Sequence, residues 1–440
     1  MYLTQVRLKN IRCFKEEVVI TLPAPSDDWC SWALILGDNG TGKSTLLRCI
    51  ALGLCDETSA SGLLRELSGE LVRQGTELGE ISLTLQSLSH PDQRFETHTT
   101  IHSTGSGNEE LEQATVPESG FPWEDVFACG YGAAYGTFGG EVYEKYRLVD
   151  SLYTLFNYDA RLQNPENALF RMSRTGTGIN ELLVSMNRVL MLPDNSIRLD
   201  SSGLSIHSPT GSIVPAGAIG DGYAATIAWL CDLFGWNLLA KQKGFGTRIE
   251  GLVLHDEIEQ HLHPLWQRKL IGLLAEEFPG LQFFATTHAP LIAIGASALP
   301  DDRCQLILLE QEEDGVSVRS GLRPPRDLRA DQVLTSYLFG LTTTTGDYLT
   351  SAIQRYDELR RKATVDSDEQ VEIDNLEAEI GRILGTAETE LQETARRAAR
   401  EVLEKLALRA IAEGKLSLDG LEFETRRQLQ EIFGGSKSER

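Results

Sequence analysis

A glycine-rich segment with the composition of a phosphate-binding loop lies near the N-terminus, at residues 37–45. It follows the apolar run at residues 33–37, precedes a helical pattern at residues 43–54, and fits the spacing G-x-x-x-x-G-K-[ST]. In such a loop, backbone N–H groups and the start of the helix surround the phosphates, while the lysine reaches the terminal phosphates. The residues predicted to bind the nucleotide are Gly37, Asn39, Gly40, Thr41, Gly42, Lys43, Ser44 and Thr45. The Ser44 hydroxyl is also predicted to be a ligand of Mg²⁺.

A second group of polar residues follows two buried strand patterns far along the chain. The apolar run at residues 251–255 ends in Asp256 and Glu257, and His288 follows the run at residues 282–286. An aspartate in this position holds the metal, and the next glutamate polarises or deprotonates the attacking water. A histidine at a neighbouring strand end can reach the terminal phosphate and that water. The sequence therefore predicts ATP and Mg²⁺ as ligands, with Glu257 and His288 as the catalytic residues.

Alternating strand and helix patterns surround these residues and indicate an α/β fold with a largely parallel sheet. We expect a P-loop head at residues 1–325, with a small antiparallel β-lobe at residues 60–125 and a helix–hairpin insert at residues 160–215. Residues 326–440 have helical spacing, and we expect a helical region there. Within it, residues 374–412 have an amphipathic pattern that fits either packing against the head or docking of a partner.

Composition restricts the class of protein. The chain has 440 residues, a formal net charge of −23 and seven cysteines with no CxxC pair. Phosphate contacts require basic residues, so the acidity argues against strong DNA binding by this chain alone. The sequence shows no signal-peptide pattern and no apolar run of about 18 residues, so we expect a cytoplasmic protein with no membrane partner.

Taken together, these motifs resemble the ABC-type ATPases, the group that includes the SMC, Rad50, RecF and OLD-like proteins. The run from Asp256 to Gln267 is similar to the D-E-x-x-x-H-L-H-P run of a set of bacterial AAA-like ATPases. The resemblance implies that two heads close on each other and that residues 259–263 touch the opposite protomer. His261 and His263 are interpreted as contact residues, with a metal site as the alternative.

The same resemblance places a signature motif before the helix at residues 222–241. Asp221, Gly222 and Tyr223 match the family pattern L-S-D-G-Y, but Gly220 stands where the family has serine. In the family, this serine binds the terminal phosphate of the nucleotide held by the other protomer. We expect the backbone of residues 220–222 to keep this contact, with slow hydrolysis, because the lost hydroxyl is worth about 1.5–3 kcal/mol.

The N-terminal turn resembles that of Rad50-like heads. Asn10 and Arg12 match positions at which the family brings an arginine close to the nucleotide phosphates. A surface arginine is the alternative interpretation. The loop after residues 126–129 has no glutamine, so the resemblance identifies no metal-sensing residue there.

Among ABC-type ATPases, the chain resembles most closely the PtuA ATPases of Septu anti-phage systems, some of which accompany retrons; the ATPase of the PARIS system is the competing match. This resemblance implies a homo-oligomer, at least a head-to-head dimer, that controls a separate HNH-type nuclease and meets nucleic acid through that complex. No TOPRIM or HNH pattern occurs in the sequence. Two alternatives stay open: a RecF-like DNA-repair ATPase that clamps DNA directly, and a nucleotide-binding scaffold with little turnover.

Overall fold

The computed structural model describes residues 1–385, apart from residues 15, 24–29, 88–89, 91, 106, 137–139, 141, 176–177, 202, 209–210, 216–217, 241–248, 342–343, 345, 361 and 363–365. The chain divides into two units, Met1–Thr342 and Thr343–Arg440. The predicted boundary between head and helical region, at residues 325 and 326, lies 17 residues before this division.

The elements of both units follow in chain order. The strands are β1 (Tyr2–Lys9), β2 (Val18–Thr21), β3 (Trp32–Gly37), β4 (Leu78–Gln86), β5 (Arg94–Ser103), β6 (Glu109–Val116), β7 (Ala128–Tyr131), β8 (Ile197–Asp200), β9 (Gly203–His207), β10 (Ile213–Pro215), β11 (Gly251–His255), β12 (Leu281–Thr287), β13 (Cys304–Glu312) and β14 (Gly315–Leu322). The helices are α1 (Lys43–Leu54), α2 (Glu57–Arg65), α3 (Leu148–Leu152), α4 (Pro165–Thr175), α5 (Ile179–Val189), α6 (Asp221–Leu239), α7 (Pro264–Glu277), α8 (Pro290–Gly295), α9 (Ala330–Leu334), α10 (Asp347–Arg360) and α11 (Ser367–Gly385).

A six-stranded sheet with the order β14-β13-β3-β12-β11-β7 forms the centre of the first unit. Its strands are parallel except for β14, which pairs antiparallel with β13. Strand β3 lies between β12 and β13, although about 250 residues separate it from them in the sequence. Because β3, β12 and β11 are adjacent and parallel, their carboxyl ends meet at one edge of the sheet. The predicted α/β class and parallel sheet are confirmed.

The central sheet is covered on both faces, which explains why its strands are continuous apolar runs. Successive side chains of β3 enter opposite layers: Trp32 and Leu34 belong to one core cluster, and Ala33 and Ile35 to the other. The first cluster includes helices α6 and α7, and the second includes α1 and the antiparallel strands. Trp32 stacks on Phe283 with ring centroids 4.2 Å apart. The phosphate-binding loop is therefore anchored in a rigid, doubly covered strand.

The antiparallel strands differ from the expected separate lobe. Strands β4, β5 and β6 form a five-stranded sheet together with β2 and β1, in the order β2-β1-β4-β5-β6. Residues 60–125 thus share one sheet with the N-terminus, and this sheet packs on α1 through contacts such as that of Gly53 with Leu83. Local periodicity predicts each strand, but it does not predict which distant strand completes the sheet.

The insert at residues 160–215 combines two helices with a small sheet. Helices α4 and α5 are followed by a three-stranded antiparallel sheet with the order β10-β9-β8, where the sequence predicted a hairpin. Buried residues of α4 and α5 belong to the same core cluster as α6. The insert therefore packs on the helix that carries the predicted signature motif.

In the second unit, α10 and α11 form an antiparallel helix pair. Arg355 donates to both carboxylate oxygens of Glu372, at 2.9 and 3.2 Å, and the Tyr348 hydroxyl donates to Glu379 at 2.9 Å. Leu359 and Ile373 are buried. The predicted amphipathic stretch at residues 374–412 extends beyond the described residues, which end at 385. Among the described residues, no helix combines the length and apolar character that crossing a bilayer requires.

Candidate functional site

The phosphate-binding loop connects β3 to α1 and has left-handed backbone at two glycines. Gly40 has φ +82° and Gly42 has φ +92°, conformations that L side chains rarely adopt. A Cβ on Gly42 would also lie 2.4 Å from the Cys13 sulfur and 3.0 Å from the Phe14 ring. Both the backbone conformation and the packing therefore require glycine at the residue before α1. Asn39 and Gly40 are exposed at the crest of the loop.

Lys43 begins α1 and lies over the loop. Its ammonium donates to the carbonyl oxygens of Gly37 and Asp38, at 2.9 Å each, and its side chain is largely buried. Burial lowers the pKa of Lys43, and the charge of Asp256 opposes that shift. The cation is thus held between the loop and the acidic residues, where it can exchange carbonyl oxygens for phosphate oxygens.

The remaining loop residues stabilise the turn or line the first helical turn. The Thr41 hydroxyl donates to the Asp38 carbonyl at 2.8 Å, which closes the loop. Ser44 is half-buried in the first turn of α1, and Thr45 is buried beside it. The free N–H groups of this first turn give the helix start its affinity for anions.

Asp256 and Glu257 follow β11 and are both oriented by Thr286 of β12. The Thr286 hydroxyl donates to Asp256 Oδ1 at 2.6 Å and accepts from the backbone N–H of Glu257 at 2.7 Å. Thr286 is fully buried and Asp256 is 5% exposed. Glu257 has φ +52°, a strained backbone conformation for this residue type. One hydroxyl therefore fixes both acids at the strand end.

The chemistry of this donor set fits Mg²⁺. Oxygen ligands from a carboxylate and a hydroxyl are those that this cation prefers. Asp256 and Ser44 supply them, and the buried Asp256 carboxylate offers negative charge next to the loop. The chemistry of Ser44 and Asp256 is therefore compatible with Mg²⁺, and their role as its ligands stays a prediction.

Glu257 is half-buried among charges of both signs. Burial raises the pKa of its carboxyl, and the charges of Asp256 and Glu259 raise it further. His288 and Lys43 act in the opposite direction. A carboxylate with a raised pKa accepts a proton more readily, which suits a general base.

His288 follows β12, the strand between β3 and β11. Its backbone N–H donates to Glu259 Oε1 at 2.6 Å, and its side chain is half-buried. The structure thus brings Lys43, Glu257 and His288 together at one sheet edge, although they come from three separate segments of the sequence.

The predicted signature residues precede or begin α6. Gly220, with φ −59° and ψ 146°, caps the helix, and both Gly220 and Asp221 are exposed. A Cβ on Gly222 would lie 2.4 Å from the His261 carbonyl oxygen. The start of α6 therefore packs directly on residues 259–263, which the sequence predicted to touch a second protomer.

The N-terminal turn contacts the loop through a residue that the sequence analysis did not select. The Arg12 guanidinium donates to the carbonyls of residues 68, 69 and 70, at 3.0–3.3 Å, rather than to the phosphate-binding loop. Asn10 and Arg12 both have positive φ, +54° and +37°. Cys13 instead contacts the loop, with its sulfur 3.6 Å from the Thr41 carbonyl oxygen.

Two further residues were absent from the sequence prediction. Thr286 lies within the strand pattern at residues 282–286, and Glu259 lies within the segment at residues 259–263. Their roles depend on side-chain contacts between β11 and β12 and between β12 and the segment after β11. A polar residue at the end of an otherwise apolar strand was the available signal for Thr286.

Comparison with known proteins agrees with this geometry. Residues 5–123 match a family model described as an AAA domain, and residues 180–294 match one described as an AAA domain, putative AbiEii toxin, Type IV TA system. The chain is 26% identical over 394 residues to the Septu protein PtuA of Bacillus mycoides (strain KBAB4), which covers 87% of this chain and 50% of that protein.

Shorter and more distant similarities accompany this match. A stretch of 42 residues is 50% identical to the Retron Vc95 probable ATPase of Vibrio cholerae, covering 10% of this chain and 8% of that protein. The SMC head domain from Thermotoga maritima is similar in structure, with a TM-score of 0.42 and 15% identity, over 72% of this chain and 98% of that one. The chain spans about half the length of the PtuA protein that it matches over most of its own residues.

Proposed function

We propose that this chain, an ABC-type AAA ATPase related to the Septu PtuA proteins and the retron ATPases, hydrolyses ATP at a site completed by a second copy of itself. The observation that carries the proposal is the meeting of three strand ends. Adjacent parallel strands β3, β11 and β12 bring the phosphate-binding loop, the acids and His288 to the same edge of the sheet.

The chain's own residues divide the work of hydrolysis. The loop N–H groups and Lys43 bind the phosphates of ATP, and Ser44 and Asp256 would hold Mg²⁺. Mg²⁺, when bound, neutralises charge on the phosphate oxygens. Glu257 takes a proton from water as the water oxygen bonds to the γ-phosphorus, and the bond from that phosphorus to the bridging oxygen breaks. ADP and phosphate are the products, and His288 donates to the γ-phosphate oxygens.

The surface around the start of α6 supports a composite site. A cavity of about 520 Å³ borders Gly220 and Asp221, and the exposed side chains of Met191 and Leu265 line it. Exposed apolar side chains around a cavity are typical of a surface that another molecule covers. A second head would place its ATP against this helix start.

Turnover is expected to be slow because Gly220 has no hydroxyl. The backbone N–H groups at the start of α6 can still hold the phosphate of the other protomer. A nucleotide-binding scaffold with little turnover is the second candidate function, and this glycine is the observation that favours it.

We propose further that the oligomer controls a separate nuclease of HNH type in anti-phage defence, in the cytoplasm, and meets nucleic acid through that complex. Its support is the relationship to PtuA, together with the net charge of −23, which disfavours direct DNA clamping by the head alone. Co-expression with an HNH-type nuclease and co-purification with and without ATP test this. ATP-dependent DNA binding by the isolated chain would favour the RecF-like alternative.

Phosphate release by the purified chain tests the ATPase proposal, beside Lys43→Ala and Glu257→Gln. We expect Lys43→Ala to abolish both ATP binding and turnover, because it removes the cation over the loop. Glu257→Gln should abolish turnover and keep binding. Release that persists in both variants would contradict the proposed site. ATP binding without release in the wild-type chain would favour the scaffold.

A further inference from the structure

Glu259 contacts the loop that carries His288 through one oxygen of its carboxylate. Its Oε1 accepts the backbone N–H of His288 at 2.6 Å. Its Oε2 is buried and has no hydrogen-bond partner among the described residues. A hydrogen bond to a carboxylate is stronger than one between neutral groups, so this contact is a firm link between two loops.

The surroundings of Glu259 are electrostatically unfavourable for a carboxylate, which indicates that its hydrogen bond to His288 has a role. Asp256 and Glu257 lie nearby, and the charge of Glu259 contributes to the raised pKa of Glu257. Like charges in a partly buried cluster repel each other, and an unpartnered buried oxygen adds a desolvation cost. Glutamine could accept the same N–H without the charge, so the amide variant is the natural probe of this contact.

Residues 257–262 connect this contact to the start of α6. Two backbone hydrogen bonds tighten the segment, from Gln260 N–H to the Glu257 carbonyl and from Leu262 N–H to the Glu259 carbonyl, at 3.0 Å each. The next carbonyl, that of His261, lies against Gly222, where a Cβ would be only 2.4 Å away. The start of α6 and Glu259 are therefore joined by one short, hydrogen-bonded segment.

We propose that Glu259 is a positioning residue that holds His288 at the γ-phosphate end of the site and links it to the start of α6. The inference rests on the proposed function, since it assigns the closing of two heads at α6 a direct effect on His288. Glu259 acts through His288 and takes no part in proton transfer itself.

Steady-state kinetics of Glu259→Ala, Glu259→Gln, His288→Ala and the Glu259→Ala/His288→Ala double variant test the proposal. Glu259→Ala should lower kcat about 10- to 100-fold, with KM little changed, as expected for loss of a hydrogen bond to a charged group. Glu259→Gln keeps an acceptor oxygen and should stay within a few-fold of wild type. In the His288→Ala background, Glu259→Ala should add less than about 3-fold. Multiplicative losses, or a glutamine variant as poor as alanine, would overturn the proposal.

Hydrogen exchange of the nucleotide-free chain separates this proposal from the proposed function. At single-residue resolution, the His288 amide should lose protection in Glu259→Ala and keep it in Glu259→Gln. Glu276→Ala, at an exposed glutamate of α7, is the matched control and should leave the amide unchanged. A protected His288 amide in Glu259→Ala would refute the link. A chain without ATPase activity would refute the proposed function but leave this result interpretable.

Discussion

Serine at position 220 should convert a slow site into a faster one. The Gly220 backbone, with φ −59° and ψ 146°, is ordinary for serine, and no described atom lies within 4 Å of the position that its Cβ would take. The residue caps the 19-residue helix α6, and serine is preferred over glycine at such caps by a few tenths of a kcal/mol. The substitution should therefore fold without strain.

The expected gain in Gly220→Ser comes from one new hydrogen bond to the phosphate of the opposite protomer. A hydrogen bond to a charged group contributes about 1.5–3 kcal/mol, which corresponds to a roughly 10- to 150-fold increase in rate if it forms in the transition state. The rate of phosphate release at saturating ATP and at limiting protein concentration measures this gain. Gly220→Ala is the matched control, because it adds the Cβ without the hydroxyl. Equal rates for the serine and alanine variants would refute the assignment of this residue to the signature.

Substitutions at three further positions test residues in the site (Thr286 and Gly42) and next to it (His255, the residue before Asp256). Thr286→Val keeps the shape but removes the hydroxyl that holds Asp256 and Glu257, so it should lower the free energy of unfolding by roughly 2–4 kcal/mol in urea denaturation. Thr286→Ser keeps the hydroxyl and should lower that free energy by about 1 kcal/mol or less. Equal losses in the two variants would contradict the role assigned to the Thr286 hydroxyl. Gly42→Ala should weaken ATP binding at least about 10-fold in a fluorescent-nucleotide titration. Gly69 also has a positive φ, +77°, but open space surrounds the position of its Cβ. Gly69→Ala should therefore leave ATP binding unchanged, which separates the effect of packing from that of backbone strain. Burial lowers the pKa of His255 from its ordinary value of 6.5 to about 4. The stability that depends on the neutral imidazole is therefore present above pH 6.5 and lost as the pH falls toward 4. Over that range the free energy of unfolding of His255→Leu should fall by about 3 kcal/mol less than that of the wild type. Equal pH dependence of the two proteins in urea denaturation would contradict this prediction.

The sequence predicts the parts of this site that are local. The phosphate-binding loop and the acids after β11 are recognisable because spacing and flanking apolar runs are contained within about ten residues. Strand and helix positions around them follow from periodicity, since fully buried strands are continuous apolar runs. These are features that a short window of sequence contains.

Contacts between distant segments are harder to predict from the sequence. The pairing of β1 with β4 merges the N-terminus with the predicted lobe, and the hydroxyl of Thr286 acts across two neighbouring strands. Arg12 fits a motif by position, yet its guanidinium bonds to the carbonyls of residues 68–70 because the turn at residues 10–12 packs on that loop. Side-chain direction at a strained turn is set by tertiary packing rather than by the local pattern.

Mixing two inactive variants tests the composite site most directly. Lys43→Ala removes the cation from the phosphate-binding loop, and Gly220→Trp places a bulky group on the exposed helix start, where its own chain leaves open space. In a mixed dimer, one site would combine the intact loop of the Gly220→Trp chain with the intact α6 start of the Lys43→Ala chain. We predict no phosphate release from either variant alone and a partial recovery on mixing. Full inactivity of the mixture, or activity of Gly220→Trp alone, would contradict a site shared between two heads.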